Sequence, residues 1–101
     1  MISTTFDPKH PNDVAAVWFD TKRILAQATD TLASAEWQDS VFADTGLPGD
    51  LVVGPTSISG TRCTTILSSG TAGRSYYVTL RFEGASGQVW NRTFEIAVEQ
   101  P

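Results

Sequence analysis

Cysteine and histidine are scarce in this sequence of 101 residues, which contains one of each, Cys63 and His10. A single cysteine excludes a disulfide within the chain. A zinc or iron site usually takes three or four thiolate or imidazole ligands, which these two residues cannot supply. We therefore expect no metal site and no cofactor. Residues 62–67 have the composition of a strand, and a lone cysteine on a strand is usually a small buried side chain.

Basic residues are also in the minority, since seven Lys and Arg stand against eleven Asp and Glu for a formal net charge of -4. The chain therefore lacks a positive field that would attract a phosphate backbone or an anionic lipid, and we expect neither nucleic acid nor a membrane as a partner. Apolar runs are only a few residues long, so the sequence predicts neither a spanning helix nor a signal peptide. We expect the protein to be made and folded in a cytoplasm.

Groups of residues that could carry catalysis are missing as well. His10 lies in a segment without periodicity, where it has no defined position as the base of a nucleophilic triad. Aspartates at predicted turns or strand ends usually cap the backbone. The aspartates in such positions are Asp20, Asp30, Asp39, Asp44 and Asp50. We therefore predict that the protein is not an enzyme.

The rest of the composition is that of one folded domain. Hydrophobic residues make up 41% of the chain, and three Trp, two Tyr and five Phe can fill a sizeable core. Residues 1–12 carry two prolines and no periodicity, so we predict an extended arm there. We predict a single β-sandwich domain for residues 13–101.

Strand patterns are clearest in the last third of the chain. Residues 76–82 alternate apolar and polar side chains, as expected of a half-buried antiparallel strand. A hairpin loop at residues 84–87 leads into a second alternating strand, in which Trp90, Phe94 and Ile96 share one face. The sequence therefore predicts that the last two strands pair.

Earlier segments have less regular patterns. Residues 14–28 fit either an amphipathic helix or a strand that breaks into a helical turn, and periodicity does not decide between the two. Leu32 and Trp37 are five residues apart, so burying both on one face requires a bulge or a bend between them. Pro48 and Gly49 suit the central positions of a type II turn.

About seven short strands separated by Gly and Pro turns are typical of an immunoglobulin-like antiparallel β-sandwich. Aromatic packing would replace the disulfide in its core. Tyr76, near the start of a late strand, is placed to hydrogen-bond the backbone around residues 70–72. The predicted core consists of Trp18, Leu32, Trp37, Tyr76, Val78, Leu80, Phe82, Trp90, Phe94 and Ile96.

Two residues of the predicted strand at 76–82 stand out on its other face. Tyr77 and Arg81 alternate with the core positions and should therefore point away from the core. Exposed Tyr and Arg are enriched at the centres of protein interfaces. We predict that these two residues contribute to an interface.

The order of short motifs along the chain resembles that of a group of small tailed-phage proteins. The motifs are Asp7-Pro8, Trp18-Phe19-Asp20, DTLASAEW at 30–37, GTAG at 70–73, Tyr76-Tyr77-Val78 and RTFEIAV at 92–98. The proteins of this group are virion structural proteins, among them fibre-to-tail adaptors. The resemblance implies a strand followed by a helical turn around Trp18, and it implies no catalytic residue.

A protein of this group would be a virion component that contacts other virion proteins, such as tail, neck or fibre subunits. The resemblance also implies a homo-oligomer in a symmetric ring. Phe6 and the elbow at Asp7 and Pro8 would anchor the extended arm on a neighbour. Two alternatives stay open: a capsid decoration protein with the same sandwich, and a carbohydrate-binding immunoglobulin-like module with Trp90 or Tyr77 as its aromatic platform.

Overall fold

The computed structural model describes the backbone of residues 2–5 and the whole of residues 13–99. These residues form nine strands and one helix. Their bounds are β1 Ile2–Thr5, β2 Ala15–Asp20, α1 Lys22–Gln27, β3 Leu32–Trp37, β4 Val41–Phe42, β5 Leu51–Val53, β6 Ser57–Ser59, β7 Arg62–Ser69, β8 Ser75–Gly84 and β9 Val89–Ala97.

The strands form two sheets that pack together. In the larger sheet the order is β1-β9-β8-β3, and β4 also pairs with β8. In the smaller sheet the order is β2-β7-β5, and β6 also pairs with β7. The described pairs are antiparallel except β1 with β9, which is parallel. This architecture confirms the prediction of an all-β sandwich.

Counted by position, the strands number seven with β1, which lies in the segment predicted as an arm, and six without it. β3 and β4 follow one another along the same edge of β8, and β5 and β6 follow one another along the same edge of β7. The larger sheet therefore holds four strand positions and the smaller sheet three. The immunoglobulin-like assignment stays a prediction.

The core lies between the two sheets, and β8 contributes most to it because every second residue of this strand is buried. Seven of the ten residues predicted for the core belong to the buried cluster, whereas Leu32 and Trp90 are half-buried and pack against it. The cluster consists of Val17, Leu25, Trp37, Leu51, Cys63, Leu67, Tyr76, Val78, Leu80, Phe82, Phe94, Ile96 and Val98.

The prediction that Trp18 belongs to the core is wrong. Side chains of β2 alternate between the two faces of the sheet, so Val17 and Phe19 point inward while Trp18 points outward with 51% of its surface exposed. Phe19 takes the inward aromatic position. Its ring centroid lies 5.4 Å from that of Phe94 and 6.3 Å from that of Phe82.

The ambiguous segment at residues 14–28 is a strand followed by a short helix, as the resemblance implies. Thr21 lies between the two elements and is fully buried. Its backbone N–H and its hydroxyl both donate to the carbonyl oxygen of Thr61, at 2.9 and 2.8 Å. These bonds fasten the end of β2 to the start of β7, and the chain then turns into α1, which buries Leu25.

The expected irregularity between Leu32 and Trp37 is present, because the register of β3 against β8 shifts between Leu32 and Ser34. Trp37 is consequently buried, with 4% of its surface exposed. Its indole N–H donates to the carbonyl oxygen of Cys63 at 3.3 Å, so it joins the two sheets by a hydrogen bond as well as by packing.

The type II turn predicted at Pro48 and Gly49 is wrong, because Gly49 lacks the positive φ that its position in such a turn requires. Gly46 is the left-handed residue, with φ of 73°. Gly49 is required for a different reason, which is space. A Cβ there would lie 2.8 Å from Ser40 Oγ and 2.9 Å from the ring of Tyr76.

Tyr76 connects the core to the turn that follows β7. Its hydroxyl accepts a hydrogen bond from the backbone N–H of Thr71 at 2.7 Å, which is the predicted bond, and donates to the carboxylate of Asp50. The hydroxyl of Thr71 donates to the same carboxylate. Burial, followed by the bond to Asp50, raises the pKa of Tyr76, so the phenol stays a donor throughout the neutral range.

Three aspartates, Asp20, Asp30 and Asp50, hold distant turns together. Each accepts a hydrogen bond from a side-chain hydroxyl of another turn or strand. The pairs are Asp20 with Thr61, Asp30 with Ser86, and Asp50 with Thr71 and Tyr76. Because these hydroxyls bond the charged form, they lower the pKa of each of the three carboxyls below its usual range.

Replacing Tyr76 by Phe removes the hydroxyl that accepts a hydrogen bond from the backbone N–H of Thr71 and donates one to the carboxylate of Asp50. We expect Tyr76→Phe to lower the free energy of unfolding by about 1–2 kcal/mol, measured by urea denaturation. Tyr77→Phe on the outer face is the matched control and should change it by less than about 0.5 kcal/mol. Equal midpoints for Tyr76→Phe and the unmodified protein would contradict this role of the hydroxyl.

The three aspartates should make the protein sensitive to acid. Their folded-state pKa values lie below the ordinary 3.8, so their contribution is fully present above that value and is lost as the pH falls through the lowered values. We expect the free energy of unfolding to decrease below about pH 4. Asp30→Asn should flatten this decrease more than Asp39→Asn, which makes the same change in charge. Equal pH profiles for the two variants would argue against the effect.

Candidate interaction surfaces

The outer face of the smaller sheet carries exposed apolar side chains. Trp18 of β2, Val52 of β5 and Ile66 of β7 are 51%, 52% and 43% exposed. Ala16 lies directly opposite Ile66 in the register of β2 against β7. Together with Arg62 these residues form what we call the Trp18 surface: Ala16, Trp18, Val52, Arg62 and Ile66.

Arg62 is stacked on Trp18, with its guanidinium carbon 4.1 Å from the centroid of the indole ring. At this distance the cation is attracted by the electrons of the ring face. The stack combines an aromatic ring and a positive charge, two features that are enriched where proteins bind one another.

Three cations, Arg62, Lys22 and Arg23, and one carboxylate, Asp20, lie at this end of the sheet. Lys22 and Arg23 are exposed at the start of α1, directly after β2. Asp20 lies among these cations, but its carboxylate accepts hydrogen bonds from the hydroxyl of Thr61 and the backbone N–H of Lys22. Those bonds, and then the charges of Arg62 and Lys22, lower the pKa of Asp20.

The outer face of the larger sheet is polar and acidic. In the register of the sheet, Glu36 of β3 lies opposite Arg81 of β8, and Glu95 of β9 lies opposite Tyr77 of β8. Arg81 approaches the carboxylate of Glu83 to 3.9 Å. We call these five residues the acidic surface, because they include three carboxylates and one guanidinium.

Tyr77 and Arg81, the interface residues predicted on this strand, therefore lie on one outward face, where Tyr77 is half-buried and Arg81 is exposed. Phe6, Asp7 and Pro8 lie outside the described residues. Trp90, considered as an aromatic platform, stacks on Phe82 with ring centroids 5.4 Å apart and an interplanar angle of 18°. One face of its ring is thus covered by the core.

Reactive groups are few in the part of the chain that the structure describes. That part holds no group of three or more His, Cys, Asp and Glu side chains that could bind a metal ion. Cys63 is fully buried, and burial raises the pKa of its thiol. A buried, protonated thiol is a poor nucleophile. Among the described helices, none has the length and apolar character needed to span a bilayer.

A family model matches most of the chain. The model is described as "Podophage GP4 fiber-tail adaptor protein gp77" and matches residues 9–97. The chain belongs to this family of phage fiber-tail adaptors. A search of curated proteins found no match. The matched region of this adaptor includes every strand from β2 to β9, so the Trp18 surface and the acidic surface both lie within it.

Membership of this family confirms the resemblance to tailed-phage structural proteins. It gives the adaptor a role in the phage tail, and the family is one of structural proteins. Most of the motifs that carry the resemblance lie within residues 9–97, the range that the family model matches. The motifs and the family model therefore indicate the same family.

Sequence reasoning missed the Trp18 surface of the adaptor, and it assigned Trp18 itself to the core. The signal was the triplet Val17, Trp18 and Phe19, because in a strand the two flanking residues share one face and the middle residue takes the other. Burying Val17 and Phe19 removes more apolar surface from water than burying Trp18 alone, so the strand turns Trp18 outward. That reasoning requires knowing that the segment is a strand, which periodicity alone does not establish.

The exposed position of Trp18 has a direct consequence for stability. Trp18→Ala should change the adaptor's free energy of unfolding by less than about 1 kcal/mol, because little buried surface is lost. Trp37→Ala, the matched replacement in the core, should lower it by about 3–5 kcal/mol. Thermal or urea unfolding of the two variants measures both values. A loss for Trp18→Ala as large as that for Trp37→Ala would show that Trp18 is part of the core.

Proposed function

We propose that this protein is a non-enzymatic virion component that links a fibre to the tail or neck of a bacteriophage through protein–protein contacts. The observation that carries the proposal is the family match over residues 9–97. The two outward surfaces support it, because a linking protein needs two contact regions and the Trp18 surface and the acidic surface differ in chemistry.

The fold suits such a role because the two surfaces are fixed relative to one another. They lie on the outer faces of two sheets that share a single buried cluster. The indole N–H of Trp37 and the paired aspartates add hydrogen bonds between strands and turns that are distant in sequence. Two partners bound to these surfaces would therefore be held at a fixed distance and orientation relative to one another.

The chemistry of the site residues supports a binding role. The carboxylates of Asp20, Asp30 and Asp50 accept hydrogen bonds from turns, and Cys63 is buried. The partners would be tail, neck or fibre subunits of the virion, and several copies in a symmetric ring would multiply weak contacts. Phe6, Asp7 and Pro8 stay proposed as the anchor of the N-terminal segment on a neighbouring subunit.

Phage particles that lack this protein provide the test. Particles assembled without it should retain heads and tails but lose their fibres, and adding the purified protein should restore fibre attachment, measured by electron microscopy and infectivity. Mass spectrometry of complete particles should find a few copies per tail rather than a number close to that of the capsid protein.

Other outcomes would replace the proposal. Fibres that remain on particles lacking the protein, together with a copy number close to that of the capsid protein, would indicate a capsid decoration protein. Absence of the protein from purified particles would leave a free binding module, for which binding of the isolated protein to a glycan array would be the next measurement.

A further inference from the structure

We propose that copies of this chain associate head to tail, with the Trp18 surface of one copy docked on the acidic surface of the next. The inference rests on the proposed adaptor role and names how neighbouring copies would contact one another. It follows from the juxtaposition of an exposed sheet face on which Arg62 is stacked on Trp18 with an anionic sheet face on the opposite side of the same sandwich.

The Trp18 surface has the composition of a binding site. Trp18, Val52 and Ile66 expose apolar area on three different strands of one sheet face. Arg62 is already stacked on the Trp18 ring at 4.1 Å, so a partner that binds this pair finds both side chains ordered and loses less conformational entropy. Trp and Arg are also the residue types that contribute most often to binding energy.

The acidic surface provides the complementary charge. Glu36, Glu83 and Glu95 stand on three strands around Tyr77 and Arg81. An incoming Arg62 would meet carboxylates there, and the half-buried ring of Tyr77 would offer apolar area to Trp18. The same contact between two Trp18 surfaces would bring together Arg62, Lys22 and Arg23 of each copy with one carboxylate, Asp20, opposite Arg62. The excess of like charge across such an interface opposes binding.

The two surfaces face in opposite directions, and this decides the kind of assembly. A contact between different surfaces of identical chains is heterologous, so it repeats from copy to copy and either closes into a ring or grows into a stack. The Cα atoms extend over 44 × 25 × 18 Å. The wider faces are therefore large enough to bury the roughly 800 Å² per partner that a stable interface requires.

The test uses two charge reversals, each of which disrupts one surface only. Arg62→Glu alters the Trp18 surface and Glu95→Arg alters the acidic surface. In sedimentation velocity over a range of concentrations, the unmodified protein should form oligomers, and each variant alone should associate at least about tenfold more weakly. An equal mixture of the two variants should recover association, because the two unaltered surfaces complement each other and the two reversed charges do so as well.

Controls separate this inference from effects on folding or net charge. Asp39→Arg makes the same change in charge as Glu95→Arg in the exposed connection between β3 and β4, and should associate like the unmodified protein. Melting temperatures of all variants should agree with that of the unmodified protein. Trp18→Ala should weaken association without changing the charge.

Three results would overturn the inference: an unmodified protein that stays monomeric at every concentration, a Glu95→Arg variant that associates like the unmodified protein, or a mixture of variants that forms no complex. Each of these is distinguishable from failure of the adaptor role. A monomeric protein that still restores fibres to deficient particles would retain the adaptor role and remove only the contact between copies.

Discussion

Every second side chain of β8 is buried between the two sheets, while both edges of the strand are hydrogen-bonded, to β9 on one side and to β3 and β4 on the other. Residues that are paired across neighbouring strands point to the same face of the sheet. The alternation of β8 therefore determines which residues of its neighbours point inward. Trp37 and Phe94 follow from it on the core side, and Glu36 and Glu95 on the outer side. The acidic surface therefore lies on the face of the larger sheet opposite to the face that forms the core.

Alternation is also why much of the larger sheet can be predicted from the sequence. The hairpin of β8 and β9, the irregularity of β3 and the hydrogen bond from Thr71 to Tyr76 all follow from patterns within a few residues of one another. The same patterns place Tyr77 and Arg81 on one outward face. Local periodicity is therefore sufficient to predict the orientation of these two residues, whereas Glu36 and Glu95 join them through the register of the neighbouring strands.

The remaining features depend on contacts between segments that are distant in sequence. The Trp18 surface joins side chains of β2, β5 and β7, which meet only in the folded sheet, and the orientation of Trp18 is hard to predict because β2 has the pattern of a helix as well as a strand. Asp20 and Thr61 are 41 residues apart, and no local pattern pairs them. Gly49 is required because the Tyr76 ring leaves no space for a Cβ there. A local turn pattern does not predict this contact either.

The burial of Cys63 matters for a component of the phage tail, because an exposed thiol is open to oxidation. The side chain of Cys63 has no exposed surface, and the carbonyl oxygen of this residue accepts a hydrogen bond from the indole N–H of Trp37. The sulfur is therefore not accessible to oxidants in solution. The fold also has no disulfide that must form after release or that a reductant could break. The contacts of such a tail component therefore do not depend on the redox conditions around it.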